Sequence, residues 1–381
     1  MCKTASQPLS SRLVSRPSLA VLAAGALTLS LSACGSDNPT GTSSSAPAGS
    51  ASSAEKVSGQ LAGAGASSQE SAVKAWVAEF QKANTEAQVT YDAVGSGSGI
   101  EQFLNKSVSW AGSDAPLEGD EIKAAEERCG GPAWHLPTYV SPVAVIFNLE
   151  GISNLNLKAE TIGKIFAGEI TKWNDPAIAA DNPDVKLPDL AITPVHRADK
   201  SGTTENFTDY LHEAAPDAWP HKPDKSWPIS GGESGDKTAG MVDTVQRAQG
   251  AIGYADASQV GKLGTVALET KEGFISFSPE AAAAAVDTAK PGEGADEHNL
   301  TLSLNRVPDS ADAYPLVLVS YEIVCSKYED ETEGKLVKGF LNYVASGEGQ
   351  KVAAQAAGSA PLSEQMSAKV AAALDAITIG K

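Results

Sequence analysis

The chain has 381 residues, with 29 Lys plus Arg against 47 Asp plus Glu and a formal charge of −18. That length allows two or more domains with a sizeable core, and so acidic a surface repels nucleic acid and anionic lipid, so neither is expected as a direct partner. A site for a small anion is not excluded, because a buried cluster of donors acts over a few ångströms while salt screens the distant acids.

At the start of the chain, Lys3, Arg12 and Arg16 precede an apolar run from Leu19 to Leu31 that is too short to span a bilayer. Leu31-Ser32-Ala33-Cys34 follows and resembles the bacterial lipobox, in which a signal peptidase cuts before a cysteine whose thiol carries diacylglycerol. Residues 1–33 are therefore expected to be a lipoprotein signal peptide. Cys34 is the expected lipidation site, anchoring the protein on the extracytoplasmic face of the cell membrane by lipid alone. Residues 34–56 are mostly Ser, Ala, Gly, Pro and Thr, cannot bury a core, and read as a flexible tether. Cys2 lies in the signal and Cys34 is the lipid site, which leaves Cys129 and Cys325 as one pair in an oxidising compartment. A disulfide between them is expected. No CxxC or Cys/His spacing suggests a metal, and no cofactor is expected.

From Leu61 to Ser68 the residues are small and read as a loop. Val73, Trp76, Val77 and Phe80 then recur at helical spacing within a helix from Gln69 to Ala83. Val89 to Val94 alternates as a strand does. The Gly/Ser loop Gly95 to Gly99 leads into a short helix from Ile100 to Asn105. Ser109 to Pro116 ends a strand in a turn, and Gly119 to Arg128 is a polar surface helix. Tyr139 to Leu149 is a buried, β-branched strand that bridges two lobes. Helix Ala159 to Ala167 precedes the strand Leu190 to Val195, which delivers His196 and Arg197 to a helix from Thr204 to Leu211. The loop Gly231 to Gly235 reads either as a fourth anion loop or, the favoured role, as a hinge-side or capping loop ahead of the helix Ala239 to Arg247. Ala251 to Tyr254 is a short strand, Pro279 to Thr288 an alanine-rich helix, and Tyr314 to Cys325 the return strand. Helices from Glu333 to Ala345 and Gly349 to Ala357 and an amphipathic tail from Ser363 complete the chain.

Alternating strands and helices indicate an α/β fold with covered sheets. Two long apolar strands, one out and one back, indicate a discontinuous lobe 1 (57–142 with 316–381) and a continuous lobe 2 (143–315). Ligands of such folds sit in the cleft at helix N-termini off the carboxyl ends of strands.

Three loops share one design. Gly63 to Ser68, Gly95 to Gly99 and Arg197 to Thr204 are each rich in Gly and Ser or Thr, and each opens a helix. Their unpaired backbone N–H groups and the hydroxyls of Ser67, Ser68, Ser96, Ser201 and Thr203 suit a small tetrahedral anion. Gly202 lets backbone approach closely, and Arg197 supplies a full charge with a planar fork of donors. Asp199 is placed to hold that guanidinium. Asp114 would repel an anion unless the ligand still carries a proton for it to accept. Monohydrogen and dihydrogen phosphate have such a proton at neutral pH, and sulfate does not.

With these residues in hand, the chain resembles the phosphate-binding lipoprotein of the bacterial high-affinity phosphate ABC importer, in its actinobacterial form. The resemblance rests on Gly63-Ala64-Gly65-Ala66-Ser67, Gly95-Ser96-Gly97-Ser98-Gly99, Gly112-Ser113-Asp114-Ala115-Pro116-Leu117, Arg197-Ala198-Asp199 with Ser201-Gly202-Thr203, and Gly250-Ala251-Ile252-Gly253-Tyr254. Gly168 to Asp175 adds to it, and it covers nearly all of the chain from Leu61 on. It implies a two-lobed periplasmic-binding-protein fold that closes on dehydrated phosphate. By position, Ser67, Ser68, Ser96, Asp114, Arg197, Ser201, Gly202 and Thr203 are the implied phosphate ligands, and Asp199 orients the arginine. Ser67-Ser68-Gln69 departs from the family's usual Thr-Phe-Pro but keeps the hydroxyl, and Lys200, where the family has a small or neutral residue, belongs on the cleft rim. The expectation is a monomeric solute-binding lipoprotein, not an enzyme, that hands inorganic phosphate to the subunits of an ABC permease. The alternatives are a secreted phosphohydrolase with a serine nucleophile, which would need an activating base or metals, and a binder of another oxyanion such as sulfate or molybdate.

Overall fold

A computed structural model describes residues 56–380, so the expected signal peptide, Cys34 and all but the last residue of the expected tether lie outside the described residues. Strands and helices alternate at first: β1 (Gly59–Gly65), α1 (Glu70–Ala83), β2 (Ala87–Asp92), α2 (Ser96–Leu104), β3 (Trp110–Ser113), α3 (Asp120–Cys129) and the long β4 (Ala133–Phe147). Then come β5 (Asn154–Leu157), α4 (Ala159–Phe166), α5 (Pro176–Asp181), β6 (Thr193–Arg197), α6 (Gly202–Ala214), β7 (Glu233–Gly235), α7 (Lys237–Arg247) and β8 (Ala251–Asp256). β9 (Gly264–Thr270), β10 (Gly273–Ile275), α8 (Pro279–Val286) and the short strands β11 (Lys290–Pro291) and β12 (Leu302–Ser303) lead to β13 (Val317–Cys325). β14 (Lys327–Tyr328), α9 (Glu331–Ala345), α10 (Gly347–Ala357), α11 (Glu364–Ala376) and β15 (Thr378–Ile379) end the chain.

One sheet of eleven strands runs in the order β2-β1-β3-β13-β4-β8-β6-β7, with β9 also on β4 and β5 and β10 on β9. Its centre is β4, buried at every position after Ala133, as a strand covered on both faces must be. Ala133 to Pro142 pair with β13, whereas Val143 to Phe147 pair with β8. A single strand thus serves both halves of the sheet. The strand begins six residues before the expected Tyr139, because Pro137 reads as a breaker. Pro137 has no ladder donor, and the register shifts beside it: Tyr321 pairs with Pro137 and Ser320 with Tyr139, leaving Thr138 as a bulge.

The small-residue segment expected as a loop is largely β1, an interior strand between β2 and β3. Its residues are small because of what lies on them. A Cβ on Gly63 would stand 2.2 Å from the Trp110 ring, and one on Gly65 would stand 1.9 Å from the Gly112 carbonyl oxygen. Composition therefore mimicked a flexible loop where close packing demands glycine. The true loop is the four residues Ala66 to Gln69.

Helix α1 buries Ala72, Val73, Trp76 and Phe80, and the Trp76 indole donates to the Gly349 carbonyl at 2.7 Å. Val77, expected on that face, is only partly buried. The amphipathic tail forms α11, which buries Val370, Ala373 and Leu374, and β15 beyond it pairs with β14. The expected disulfide joins Cys129 at the end of α3 to Cys325 at the end of β13, with Cα atoms 5.2 Å apart across a sequence separation of 196. Closing so long a loop in the unfolded chain stabilises the fold by about 2–4 kcal/mol. Among the described residues, no helix is long and apolar enough to cross a membrane, and no group of acidic, His and Cys side chains could hold a metal ion.

Candidate functional site

Four helices begin where residues of the two halves of the sheet meet. β1 runs through Ala66 to Gln69 into α1, and β2 through a short turn into α2. β6 runs through Ala198 to Ser201 into α6, and β7 through Asp236 into α7. Helix α2 starts at Ser96, four residues earlier than expected. The Gly/Ser segment read as a loop is its first turn, with Gly95 as the N-cap residue. Glycines weaken a helix, so this segment has the composition of a loop. A side chain at Gly99 would strike the backbone of Gly65, its Cβ falling 2.3 Å from the Gly65 Cα. That backbone-to-backbone contact sets Ser96 at the end of β1.

Asp114 follows β3 and is buried. Each of its two carboxylate oxygens accepts from a different hydroxyl. The Ser68 hydroxyl donates to Oδ1 at 2.6 Å, and the Thr203 hydroxyl donates to Oδ2 at 2.9 Å. Its backbone N–H donates to Ser96 Oγ at 3.3 Å, and its carbonyl accepts from Asn206 Nδ2 at 2.8 Å. Gly202 faces this group so closely that a Cβ would lie 2.7 Å from Asp114 Cβ and 2.9 Å from Ser96 Oγ. Burial pushes the Asp114 carboxyl above its ordinary value, against the pull of the Ser68 and Thr203 hydroxyls and, more weakly, of the Arg197 charge. Such a carboxylate is a fixed acceptor, suited to an oxyanion that carries a proton.

Arg197 ends β6 and is buried. Its Nε and Nη2 donate to the two oxygens of Asp199 at 2.8 and 2.5 Å, a forked pair. The Lys237 backbone N–H, at the start of α7, also donates to Asp199 Oδ1 at 2.9 Å. The Arg197 backbone N–H donates to the Tyr254 hydroxyl at 3.3 Å, which is 2.8 Å from Thr204 Oγ1. Tyr254 is stacked on Phe207, and Trp227 stacks in turn on Phe207 and His196. Trp227 and His196 are therefore packing against Phe207 of α6. Ser201 is the N-cap of α6, its Oγ accepting from the Thr204 N–H at 3.2 Å. Lys200 is exposed at the rim.

Ser67 is held by residues the sequence reading did not single out. Its Oγ accepts from the Thr238 N–H at 3.1 Å and lies 2.9 Å from Thr238 Oγ1 and 3.4 Å from Arg197 Nη2. Its carbonyl accepts from Gln259 Nε2 at 2.8 Å. The loop before Thr238, expected to be hinge-side or capping, thus opens a fourth helix on the site. Its signal was its Gly/Ser composition between a strand and a helix; nothing local marks Gln259. Lys225 is also buried, an unusual place for a lysine. Its ammonium lies 3.3 Å from Glu205, 3.9 Å from Glu121 and 3.3 Å from the Pro116 carbonyl. Its own carbonyl accepts from the Ser201 N–H at 2.8 Å.

Beneath Asp114, on β13, Glu322 is fully buried and accepts from Thr138 Oγ1 at 3.3 Å. Burial pushes its carboxyl from 4.5 up to about 8, so Asp114 is not joined by a second full charge at neutral pH. The folded value is raised, so the associated stability is complete below about pH 4.5 and is lost as pH rises towards about 8. Glu322→Gln removes the ionisable group. Its melting temperature relative to wild type is expected to climb through that window and level off above it. A difference independent of pH in thermal unfolding scans would contradict the assignment.

A profile of the PBP superfamily domain matches residues 50–348. A full-length relative is the phosphate-binding protein PstS2 of Mycobacterium bovis (strain BCG / Pasteur 1173P2), 40% identical over 370 residues that span 94% of this chain and 98% of the relative. Among solved structures, the chain is similar to a high affinity periplasmic phosphate-binding protein (PfluDING) bound with phosphate, with a TM-score of 0.68, 22% identity, and 82% of this chain and 93% of that one covered. It is also similar to a putative phosphate ABC transporter substrate-binding protein with bound phosphate from Clostridium perfringens, with a TM-score of 0.57, 18% identity, and 78% and 98% covered. At these identities the two structures speak to the fold, the two-lobed one of periplasmic binding proteins.

Proposed function

The chain belongs to the PBP superfamily and, within it, to the family of PstS phosphate-binding proteins, and on that premise we propose that it captures inorganic phosphate outside the membrane and delivers it to an ABC permease. The carrying observation is Asp114, a buried carboxylate gripped by Ser68 from one half of the sheet and Thr203 from the other. Lobe 1 is 57–142 with 316–381 and lobe 2 is 143–315, an assignment supported by the change of β4's partner between Pro142 and Val143. Ser68, Ser96 and Asp114 then belong to lobe 1, and Arg197, Ser201, Gly202 and Thr203 to lobe 2. Phosphate held by both stabilises the closed state over the open one, and release follows opening. Arg197, oriented by Asp199, balances the ligand's charge, and Asp114 accepts its proton. No bond of the ligand is made or broken. The protein acts as a monomer, held at the extracytoplasmic face by lipid on Cys34.

The test is titration calorimetry of the purified protein with phosphate and with sulfate. Sulfate leaves Asp114 facing a lone pair, so its affinity is expected to be at least about a hundredfold lower. Equal affinities would sink the reading.

A further inference from the structure

The helix that the Gly231 to Gly235 loop opens supplies none of the implied phosphate ligands. The first two residues of α7 nevertheless hold both neighbours of Arg197. The Lys237 N–H holds Asp199, and Thr238 holds Ser67. Lys237 takes a left-handed backbone, φ 59°, a conformation a lysine adopts only under constraint. The two contacts with Asp199 and Ser67 are what the turn achieves.

A count of hydrogen bonds on Ser67 fixes their direction. Its hydroxyl oxygen has two lone pairs and one proton. The Thr238 N–H and Arg197 Nη2 donate to it, at 3.1 and 3.4 Å, and fill the lone pairs. The Ser67 proton must then go to Thr238 Oγ1, 2.9 Å away. Thr238 Oγ1 therefore accepts, and its own proton has no acceptor among the described residues, although Thr238 is only 1% exposed. A buried hydroxyl proton left unpaired is unfavourable, and this one sits in the first turn of α7 and shares Ser67 Oγ with the Arg197 guanidinium.

Resting on the phosphate reading, we propose that Thr238 is a further binding residue of the site: its hydroxyl donates to the anion, while Ser67 spends its own proton on Thr238 and acts as a strap between the lobes. The ligand is then gripped by a fourth helix N-terminus, and a hydroxyl of α7 takes the place by position given to Ser67. Gln259, donating to the Ser67 carbonyl, completes the strap.

The test compares Thr238→Val, which keeps the shape and removes the hydroxyl, with Thr238→Ser, which keeps it. Phosphate affinity and dissociation rate are measured on wild type and both variants, with ligand-free melting temperatures to establish folding. Thr238→Val is expected to bind phosphate about 10- to 100-fold more weakly, with most of the change in dissociation rate, and Thr238→Ser to fall within about threefold of wild type. Phosphate binding by wild type with Thr238→Val within twofold of it would overturn this inference alone. A Thr238→Ser variant as weak as Thr238→Val would also overturn it, since packing would then explain the loss. A wild type that binds no phosphate would remove the phosphate reading and this inference together.

Discussion

Arg197→Ala is expected to lower phosphate affinity by about a thousandfold, roughly 4 kcal/mol, because in the proposed site it removes the guanidinium set against the ligand and leaves Asp199 without it. In the folded protein Asp199 is itself mostly buried, with its side chain 14% exposed. The Lys237 N–H continues to hold it, so the carboxylate would stay in place and face the anion with nothing to offset it. The effect is therefore larger than the loss of a contact. Arg197→Lys keeps a charge but cannot make the forked pair through Nε and Nη2, and it is expected to recover only part of the affinity. Calorimetric titrations of both variants check this. Arg197→Ala with wild-type affinity would show that the charge is not in the site.

Asp114→Asn should change selectivity more than any other single substitution. The variant keeps shape and volume but replaces one acceptor oxygen by a donor amide. The Ser68 and Thr203 hydroxyls can turn to suit it, since each carries both a donor and lone pairs. A protonated phosphate loses its acceptor, whereas sulfate gains a donor. The expected result is a fall in the phosphate-to-sulfate affinity ratio of at least about a hundredfold, close to 3 kcal/mol. Both anions are titrated against wild type and variant, and an unchanged ratio would remove Asp114 from the selectivity role. Acidification should act in the same direction. Because burial raises the Asp114 carboxyl, protonation begins at higher pH than for an exposed aspartate, and phosphate binding should weaken there first.

Most of the candidate site is legible in the sequence because its chemistry is local. One loop of Gly, Ser, Thr and Arg that opens a helix also serves as an ordinary cap, but three of them in one chain point to an anion, and Asp114 is informative because a carboxylate is out of place there. Other features gave misleading signals. β1 looked like a loop because its glycines answer to Trp110 and Gly112, which lie far along the chain. The start of α2 looked like a loop because Gly99 answers to Gly65. Thr238 is marked only by the Gly/Ser composition of the loop before it and Gln259 by nothing local, because each is defined by its distance to Ser67, more than 170 residues away in the chain.

By itself the amino-acid sequence determined the α/β class, the two long buried strands, the pairing of Cys129 with Cys325, and which Ser, Thr, Arg and Asp side chains are candidates for an anion site. Those follow from residue type and short-range spacing, which act over a few residues of chain. Only the tertiary structure decided which hydroxyl serves which carboxylate, that α7 joins the site, and that Glu322 lies neutral beneath it. Each of these depends on which distant segments are brought within hydrogen-bond reach and how completely water is removed around them, and neither is written into the spacing of neighbouring residues.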